Sequence, residues 1–362
     1  MNEDKRSTNI DLLESIAIYF VLLYHSTLYT YDVVQSMSVK NCLLYFSRTI
    51  LSTCVPLFFF ANGYLLFGRN FDHDRHIKKI IKLISLTFVW AFILMPLYLI
   101  IEKEPLSFKT VLLNILRLNK KWGMNLFWFI GALVSMYLFF PALRLLFVSD
   151  KKAFILFTVA CAVLTFGFVL GDQVLAIISF VVDHGLGDLD YPILKMFDPF
   201  RGTHGYSFVY FCFGGLVYTY ESKIRAIPSI KRNILAITGM VISCLLLFLV
   251  GMFNSICWDG KVWDVVWYGY DTVFTFLNVF FIYLLCLDHQ HDTRFIRLIS
   301  QNTLGIYFTH GLIIRLTRPW IMRSPDLCSL PFNIVYAFMI LCVCLLLCLL
   351  LKRIPLLRKL VE

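Results

Sequence analysis

The sequence predicts an all-α polytopic membrane protein with about ten transmembrane helices and both termini in the cytoplasm. Of the 362 residues, 59% are hydrophobic and 15% are charged, whereas about a quarter of the residues of a soluble domain are charged. Apolar surface on this scale has to face lipid. The lengths of the apolar runs and the distribution of Lys and Arg then predict the number of spans and their orientation.

Apolar runs of near-membrane length recur along the whole chain. A transmembrane helix needs about 20 mostly apolar residues, and about ten runs come near that length. They predict spans over residues 10–29, 43–67, 80–101, 126–148, 154–170, 206–220, 234–252, 265–287, 298–314 and 331–351. Because no repeat or low-complexity tract separates these runs, we expect a single integral-membrane domain over residues 1–362 without an appended soluble domain.

Lys and Arg concentrate in the segments that lie inside if the N-terminus is cytoplasmic, in keeping with the positive-inside rule. The longest loop on the other side, residues 171–205, instead carries five aspartates. One loop disagrees, because residues 102–123 are placed outside and yet carry five Lys and Arg residues. Either a span is miscounted or this loop folds back toward the helices. The net charge of +10 thus reflects orientation in a membrane, and we expect lipid rather than nucleic acid as a partner.

The first predicted span carries three ionisable side chains, which are costly inside a bilayer and are therefore candidates for function. His25 follows Glu14 by eleven residues, so that both lie on one helix face about 16 Å apart. Imidazole is suited to proton transfer near neutral pH, which makes His25 the candidate base. Asp11 lies one turn before Glu14, where it either contributes to function or simply marks the headgroup boundary.

His310 and Arg48 are the ionisable residues of interest in two other predicted spans. His310 either belongs to a site or is hydrogen-bonded across a helix interface, and Arg48 either faces an internal cavity or snorkels to the membrane surface. The sequence has no phosphate-binding glycine loop, no serine-nucleophile elbow and no Cys/His metal spacing. We therefore expect neither a metal nor a permanently bound cofactor. The residues alone leave an enzyme and a transporter open.

Four blocks, in order along nearly the whole chain, resemble the membrane-bound acyltransferase 3 family. The first block is Asp11, then Glu14 at the position of a family arginine, then ten residues and His25. The second block, VPLFFFANGYLLF, is similar to the family's PLFF and SGYLL signature. FWFIGALVSMYLFFP and LGIYFTHGL resemble two later segments. The residues that carry the resemblance in the last three blocks are Pro56, Phe58, Phe59, Gly63, Tyr64, Trp128, Phe129, Tyr137, Pro141, Gly305, Tyr307 and His310.

The resemblance implies a membrane-bound O-acyltransferase in a bacterial plasma membrane. Such an enzyme transfers an acyl group, most often acetyl from acetyl-CoA as co-substrate, to a hydroxyl of a cell-envelope polysaccharide or glycolipid. His25 is then the general base, or itself receives the acyl group first, and Glu14 is the second catalytic candidate. Because donor and acceptor lie on opposite sides, we expect a polar path through the helices, shielded from lipid.

Binding roles follow from the same resemblance. We expect Asp11 at the inner mouth of the path, Tyr307 and His310 on the acceptor side, and Arg48 at the outer end. A basic patch would hold the phosphates of the donor by charge, although plain positive-inside topology explains it equally well. The patch consists of Arg75, Lys78 and Lys79.

Two positions depart from the family pattern, since Glu14 replaces its arginine and Asn62 its usual serine. Glu14 either takes a related polar role while Arg6 or Arg48 supplies the cation, or the chain uses another donor, or it has lost the activity. An intramembrane carboxylate also suits a transporter or exporter of a small polar solute or of an acylated glycan precursor. A membrane protein that only organises partners is the third hypothesis, and a homo-oligomer is compatible with all three.

Overall fold

The structure is a computed structural model that describes residues 7–116, 127–183, 204–257 and 261–361. These residues form helices and connecting turns without any strand, which confirms the predicted all-α class. The helices are α1 (Thr8–His25), α2 (Val39–Ser47), α3 (Cys54–Gly68), α4 (His73–Ile101), α5 (Phe108–Ile115), α6 (Trp128–Ser149), α7 (Lys151–Ala162), α8 (Phe168–Asp183), α9 (Tyr206–Arg225), α10 (Ser229–Cys257), α11 (Val273–Cys286), α12 (Arg294–Ser300), α13 (Thr303–Ile321), α14 (Leu330–Arg353) and α15 (Pro355–Arg358).

Three short segments of other helical geometry connect these elements. A 3-10 helix, Thr49–Thr53, lies between α2 and α3, and a π-helical segment, Val163–Gly167, lies between α7 and α8. A second 3-10 helix, Pro325–Leu327, precedes α14. The first two segments let the chain continue in one direction, so that each joins its flanking helices into a single long helical stretch.

Within the described residues, six helical stretches are long and apolar enough to cross a membrane by length and composition. Each contains or overlaps one of the predicted spans. The other four predicted spans correspond to α1, α9, α11 and α13, which are shorter or contain charged side chains. The count of ten and the cytoplasmic termini remain predictions. The six stretches are Val39–Gly68, His73–Ile101, Trp128–Ser149, Lys151–Val182, Ser229–Ile256 and Leu330–Arg353.

Two predicted loops differ from the structure. The loop expected over residues 171–205 begins later, because α8 continues to Asp183 and thus includes Asp172. Its three other aspartates, Asp188, Asp190 and Asp198, lie outside the described residues. The basic loop expected over residues 102–123 contains α5, whose first turn is capped by the Ser107 hydroxyl accepting from the Thr110 amide. The Ser107 cap begins α5, and the apolar residues after Asp172 keep α8 part of an apolar stretch that continues to Val182.

The described chain divides into two compact units. The first comprises Met1–Ala17, Thr30–Asn70 and Ala142–His291, and the second comprises Ile18–Tyr29, Phe71–Pro141 and Asp292–Glu362. In the first unit, α3 packs closely against α9. A Cβ atom on Gly63 would overlap the carbonyl oxygen of Phe211, and one on Gly214 would overlap that of Phe60. Only glycine permits two helix backbones to approach so closely.

A carboxylate joins three helices at one end of this packing. Glu221 of α9 accepts hydrogen bonds from the hydroxyls of Tyr64 on α3 and Tyr283 on α11, the latter at 2.9 Å, and from Arg225 Nε at 2.7 Å. Burial alone would raise the pKa of Glu221, but the hydrogen bonds from Tyr64, Arg225 and Tyr283 hold it below its ordinary value. Glu221 lies just beyond the predicted span 206–220, and it fixes the register of the three helices.

The second unit is built around α13, which packs on α4 and α14. The Trp90 ring of α4 stacks on Phe308 of α13, with 5.4 Å between ring centroids, and the Trp90 indole donates a hydrogen bond to the Leu360 carbonyl at 2.9 Å. Gly305 lies against Cys348 of α14 and Val361. These contacts hold α13, and with it His310, in a fixed position within the unit.

Candidate active site

The C-terminal end of α1 presents His25 as its last residue. The final carbonyl groups of a helix have no partner within the helix, and here side chains supply partners for two of them. Thr27 Oγ1 donates to the Tyr24 carbonyl at 2.7 Å, and Asn333 Nδ2 of α14 donates to the Leu23 carbonyl at 3.4 Å. Asn333 Oδ1 also accepts from the Leu28 amide at 3.1 Å. The backbone on both sides of His25 is therefore held by one buried amide.

His25 and His310 are brought together in the second unit. His25 Nδ1 lies 3.2 Å from His310 Nε2, and the rings stack with 5.1 Å between centroids. His310 is 8% exposed, whereas His25 is exposed. The other ring nitrogen of His310, Nδ1, lies 2.6 Å from the carbonyl oxygen of Tyr307. The pair thus consists of an accessible imidazole supported by a buried one.

His25 and His310 differ in their electrostatic surroundings. The C-terminal end of a helix carries partial negative charge, which stabilises a nearby cation by about 0.3–1 kcal/mol, and His25 occupies that end of α1. His310, in contrast, is buried, and Arg315 follows it five residues later on α13. His25 is thus the accessible member of the pair, at the end of its helix, and His310 is the buried one.

Tyr307 lies beside His310, and Arg315, five residues further along α13, forms a cation–π pair with Tyr98 of α4. The Tyr307 ring lies 5.9 Å from the His310 ring and 5.5 Å from the Phe129 ring, measured between centroids. Arg315 Cζ lies 4.2 Å from the centre of the Tyr98 ring. A Cβ on Gly311 would lie 3.1 Å from the Tyr98 hydroxyl, which places that hydroxyl beside the residue that follows His310.

The C-terminal end of α4 contributes a carboxylate that lies beside Arg315. Glu102, the C-terminal capping residue of α4, has Oε1 at 3.5 Å from Arg315 Nε. The next residue, Lys103, adopts a left-handed conformation with φ of 57°, and the Glu104 amide donates to the Leu99 carbonyl at 2.9 Å. This is the Schellman termination of a helix. The helix therefore ends at the residue whose carboxylate lies beside Arg315.

The basic patch Arg75, Lys78 and Lys79 lies at the other end of α4, where all three side chains are exposed. Lys79 Nζ lies 4.6 Å from the centre of the Tyr137 ring. Trp90, which stacks beside the histidine-bearing part of α13, follows Lys79 by eleven residues, or about 16 Å along the helix axis. The structure therefore brings His25, His310 and Tyr307 together and leaves the basic patch separate from them.

Asp11, Glu14 and Arg48 belong to the first unit. Asp11 is buried and Glu14 is half-buried, both on α1. Arg48, between α2 and the first 3-10 helix, is 2% exposed, with Nη2 at 3.7 Å from Asp264 Oδ1 and Cζ at 4.1 Å from the centre of the Tyr31 ring. Arg48 is therefore buried among protein groups, and the snorkelling alternative is wrong.

Sequence reasoning missed two contributors to this site. Asn333 is a lone amide in the apolar run 331–351, so its polarity was a usable signal, but its partners lie 305 and 310 residues away in the chain. Arg315 is a charged residue one turn beyond Gly311 in the segment around LGIYFTHGL. Among the described residues, no group of three His, Cys, Asp or Glu side chains could hold a metal ion.

Comparison with known proteins identifies the family. A family model described as an acyltransferase domain, that of the acyltransferase 3 family, matches residues 7–353. No curated protein and no solved structure matches the chain. The matched range includes His25, His310 and the six long apolar stretches. This chain is accordingly a multi-pass membrane protein that belongs to the acyltransferase 3 family.

Proposed function

We propose that this protein transfers an acyl group, acetyl in the first instance, from acyl-CoA to a hydroxyl of a cell-envelope polysaccharide or glycolipid. The observation that supports the proposal is the accessible His25, backed by His310 at 3.2 Å, in a chain whose family carries out acyl transfer. We place the reaction at the plasma membrane of a bacterium. The donor comes from the cytoplasm and the acceptor belongs to the envelope.

In the proposed reaction, His25 Nε2 removes the proton from the acceptor hydroxyl while that oxygen attacks the thioester carbonyl carbon. The tetrahedral intermediate collapses, the C–S bond breaks, and the CoA thiolate leaves. The imidazolium of His25 then returns its proton to the leaving sulfur. General base catalysis of this kind contributes about 10²–10⁴-fold to the rate. The negative end of α1 stabilises the imidazolium that forms between the two proton transfers.

A second route uses His25 as a nucleophile. The acyl group then moves first to an imidazole nitrogen, CoA leaves, and the acceptor hydroxyl attacks the acyl-imidazole in a second step. The two routes differ in kinetics, because the nucleophilic route releases CoA before the acceptor binds. A burst of CoA equal to one per protein in the absence of acceptor would select the nucleophilic route.

Donor and acceptor binding are assigned to different ends of the second unit. The exposed patch Arg75, Lys78 and Lys79 holds the donor phosphates by charge, at the end of α4 that positive-inside topology places in the cytoplasm. Tyr307 lies beside the histidine pair and contributes to the acceptor side. Asp11, Glu14 and Arg48 belong to the first unit, and their roles at the inner mouth and the outer end of the path stay predictions from the sequence.

The proposal is tested with radiolabelled acetyl-CoA, purified protein in nanodiscs and an extract of envelope glycans as acceptor. We expect label transfer by the wild type and a loss of at least about 10²-fold in His25→Ala. The matched control is His291→Ala, because His291 is exposed in the turn between α11 and α12. Wild-type protein that neither transfers label nor binds CoA would overturn the enzyme proposal and favour transport.

Glu14→Arg tests the departure from the family pattern in the same assay. If Glu14→Arg transfers label faster than the wild type, the carboxylate at position 14 weakens the handling of the donor and the restored cation improves it. A loss of transfer means that Glu14 has its own role at the inner mouth. Unchanged transfer would contradict the assignment of Glu14 to the catalytic pathway.

A further inference from the structure

The hydrogen bond between the two histidines has one possible donor, because the carbonyl of Tyr307 determines which nitrogen of His310 carries the proton. A carbonyl oxygen accepts hydrogen bonds and cannot donate them. His310 Nδ1, 2.6 Å from that oxygen, must therefore carry the N–H of the His310 ring. Because a neutral imidazole carries one N–H, His310 Nε2 is an acceptor.

The tautomer of His310 in turn determines that of His25. His25 Nδ1 lies 3.2 Å from His310 Nε2, so it must be the donor of that hydrogen bond. Neutral His25 then carries its proton on Nδ1 and its lone pair on Nε2. An isolated histidine in water prefers the opposite tautomer, with the proton on Nε2. The contact with His310 thus selects a tautomer that solvent alone would not select.

We propose that His310 is a positioning residue that holds His25 in the tautomer whose Nε2 is the base. The inference rests on the proposed function and deepens it, since it assigns to His310 the support of the base instead of the acceptor contact expected from the sequence. The role corresponds to that of the third group in a nucleophile–base–orienter arrangement, in which the orienter fixes both the tautomer and the ring direction of the base. Here a buried neutral imidazole replaces the usual carboxylate.

The arrangement works in both protonation states of His25. When His25 gains a proton on Nε2, its Nδ1–H still donates to His310 Nε2, so the hydrogen bond persists through the reaction. Asn333 holds the backbone on either side of His25 through Leu23 and Leu28. The ring is therefore fixed at its Nδ1 by His310 and at its backbone by α14.

Three substitutions at position 310 distinguish the loss of the hydrogen bond to His25 from a general disturbance of the structure. The amide oxygen of His310→Gln reaches about as far as Nε2 and can accept from His25 Nδ1. The shorter side chain of His310→Asn can keep the hydrogen bond to the Tyr307 carbonyl but does not reach His25. His310→Leu keeps the bulk and removes both hydrogen bonds.

We expect His310→Asn and His310→Leu to lower kcat by about tenfold or more, up to the roughly 10²–10⁴-fold that the base itself contributes, with the KM for acetyl-CoA within about threefold of the wild type. His310→Gln should recover most of the loss. A structural role alone would not produce this rescue, since glutamine is no closer to histidine in shape than leucine is.

Nitrogen-15 NMR of histidine-labelled protein in nanodiscs measures the tautomer of His25 and does not depend on turnover. The His25 signals are assigned as those that are absent from His25→Ala. We expect a protonated Nδ1 and an unprotonated Nε2 on His25 in the wild type, and the opposite tautomer in His310→Asn. A wild-type His25 protonated on Nε2, or a His310→Asn protein with unchanged kcat, would overturn the inference. A wild-type protein with the expected tautomer but no acyl transfer would instead overturn the proposed function.

Discussion

At the scale of single residues, several polar side chains of this protein form hydrogen bonds across long distances in the chain. His25 meets His310 over 285 residues, and Asn333 holds the end of α1 over more than 300. A polar group left without a partner away from water costs about 1–3 kcal/mol. Pairing of this kind therefore stabilises the helices while it also orients the groups that could do chemistry.

Arg48 provides a residue-scale test in the first unit. Its guanidinium lies over the Tyr31 ring and beside Asp264, contacts that depend on a flat, delocalised cation. We expect Arg48→Lys to lower the free energy of unfolding by about 1–3 kcal/mol, measured by thermal unfolding in detergent. Arg353→Lys, at an exposed position, is the control and should change stability by less than about 0.5 kcal/mol. Equal stability of both variants would contradict the assigned contacts.

At the scale of helices, close backbone approach explains why glycine occupies particular positions. α3 and α9 touch through Gly63 and Gly214, each against a backbone carbonyl of the other helix. Backbone atoms cannot rotate away as a side chain can, so an added methyl group must separate the helices. The Glu221 hydrogen bonds to α3 and α11 depend on the same spacing.

Gly63→Ala and Gly131→Ala make a matched pair at this scale. We expect Gly63→Ala to destabilise the protein by about 1–3 kcal/mol, the usual cost of overpacking. A Cβ on Gly131 of α6 meets nothing within 4 Å, so Gly131→Ala should be neutral or stabilise by about 0.5–1 kcal/mol through its higher helix propensity. Thermal unfolding of both variants in nanodiscs measures the difference. A Gly63→Ala protein as stable as Gly131→Ala would show that α3 and α9 are not in contact.

At the scale of the whole molecule, the arrangement of charge along the chain makes a prediction about topology. Six stretches within the described parts of the chain are long enough to span. The positive-inside distribution predicts that both termini are cytoplasmic, which requires an even number of spans. We expect reporters fused to the N-terminus and to the C-terminus to be active only in the cytoplasm. A C-terminal reporter that is active outside would require an odd number of spans and would reassign the basic loop 102–123.

The structure agrees with the predictions from the sequence where interactions between neighbouring residues determine the helices. Apolar runs such as 80–101 and 331–351 correspond to α4 and α14 because hydropathy and helix formation depend on neighbouring residues. The disagreements, such as α8 continuing to Asp183, arise where an ionisable residue such as Asp172 lies within a helix. The apolar residues that follow Asp172 keep this stretch apolar as far as Val182, and the backbone hydrogen bonds of the helix continue through it.

The sequence by itself determined the class of the protein, since composition and the lengths of the apolar runs indicate a helical membrane protein. It also singled out His25 and His310, because each is an ionisable group in an apolar run. Only the tertiary structure decided that these two rings meet, that Asn333 holds the end of α1, and that Arg48 is buried against Asp264. The physical reason is range: helix formation and lipid exposure depend on residues a few positions apart, whereas a hydrogen bond between side chains depends on how distant helices pack.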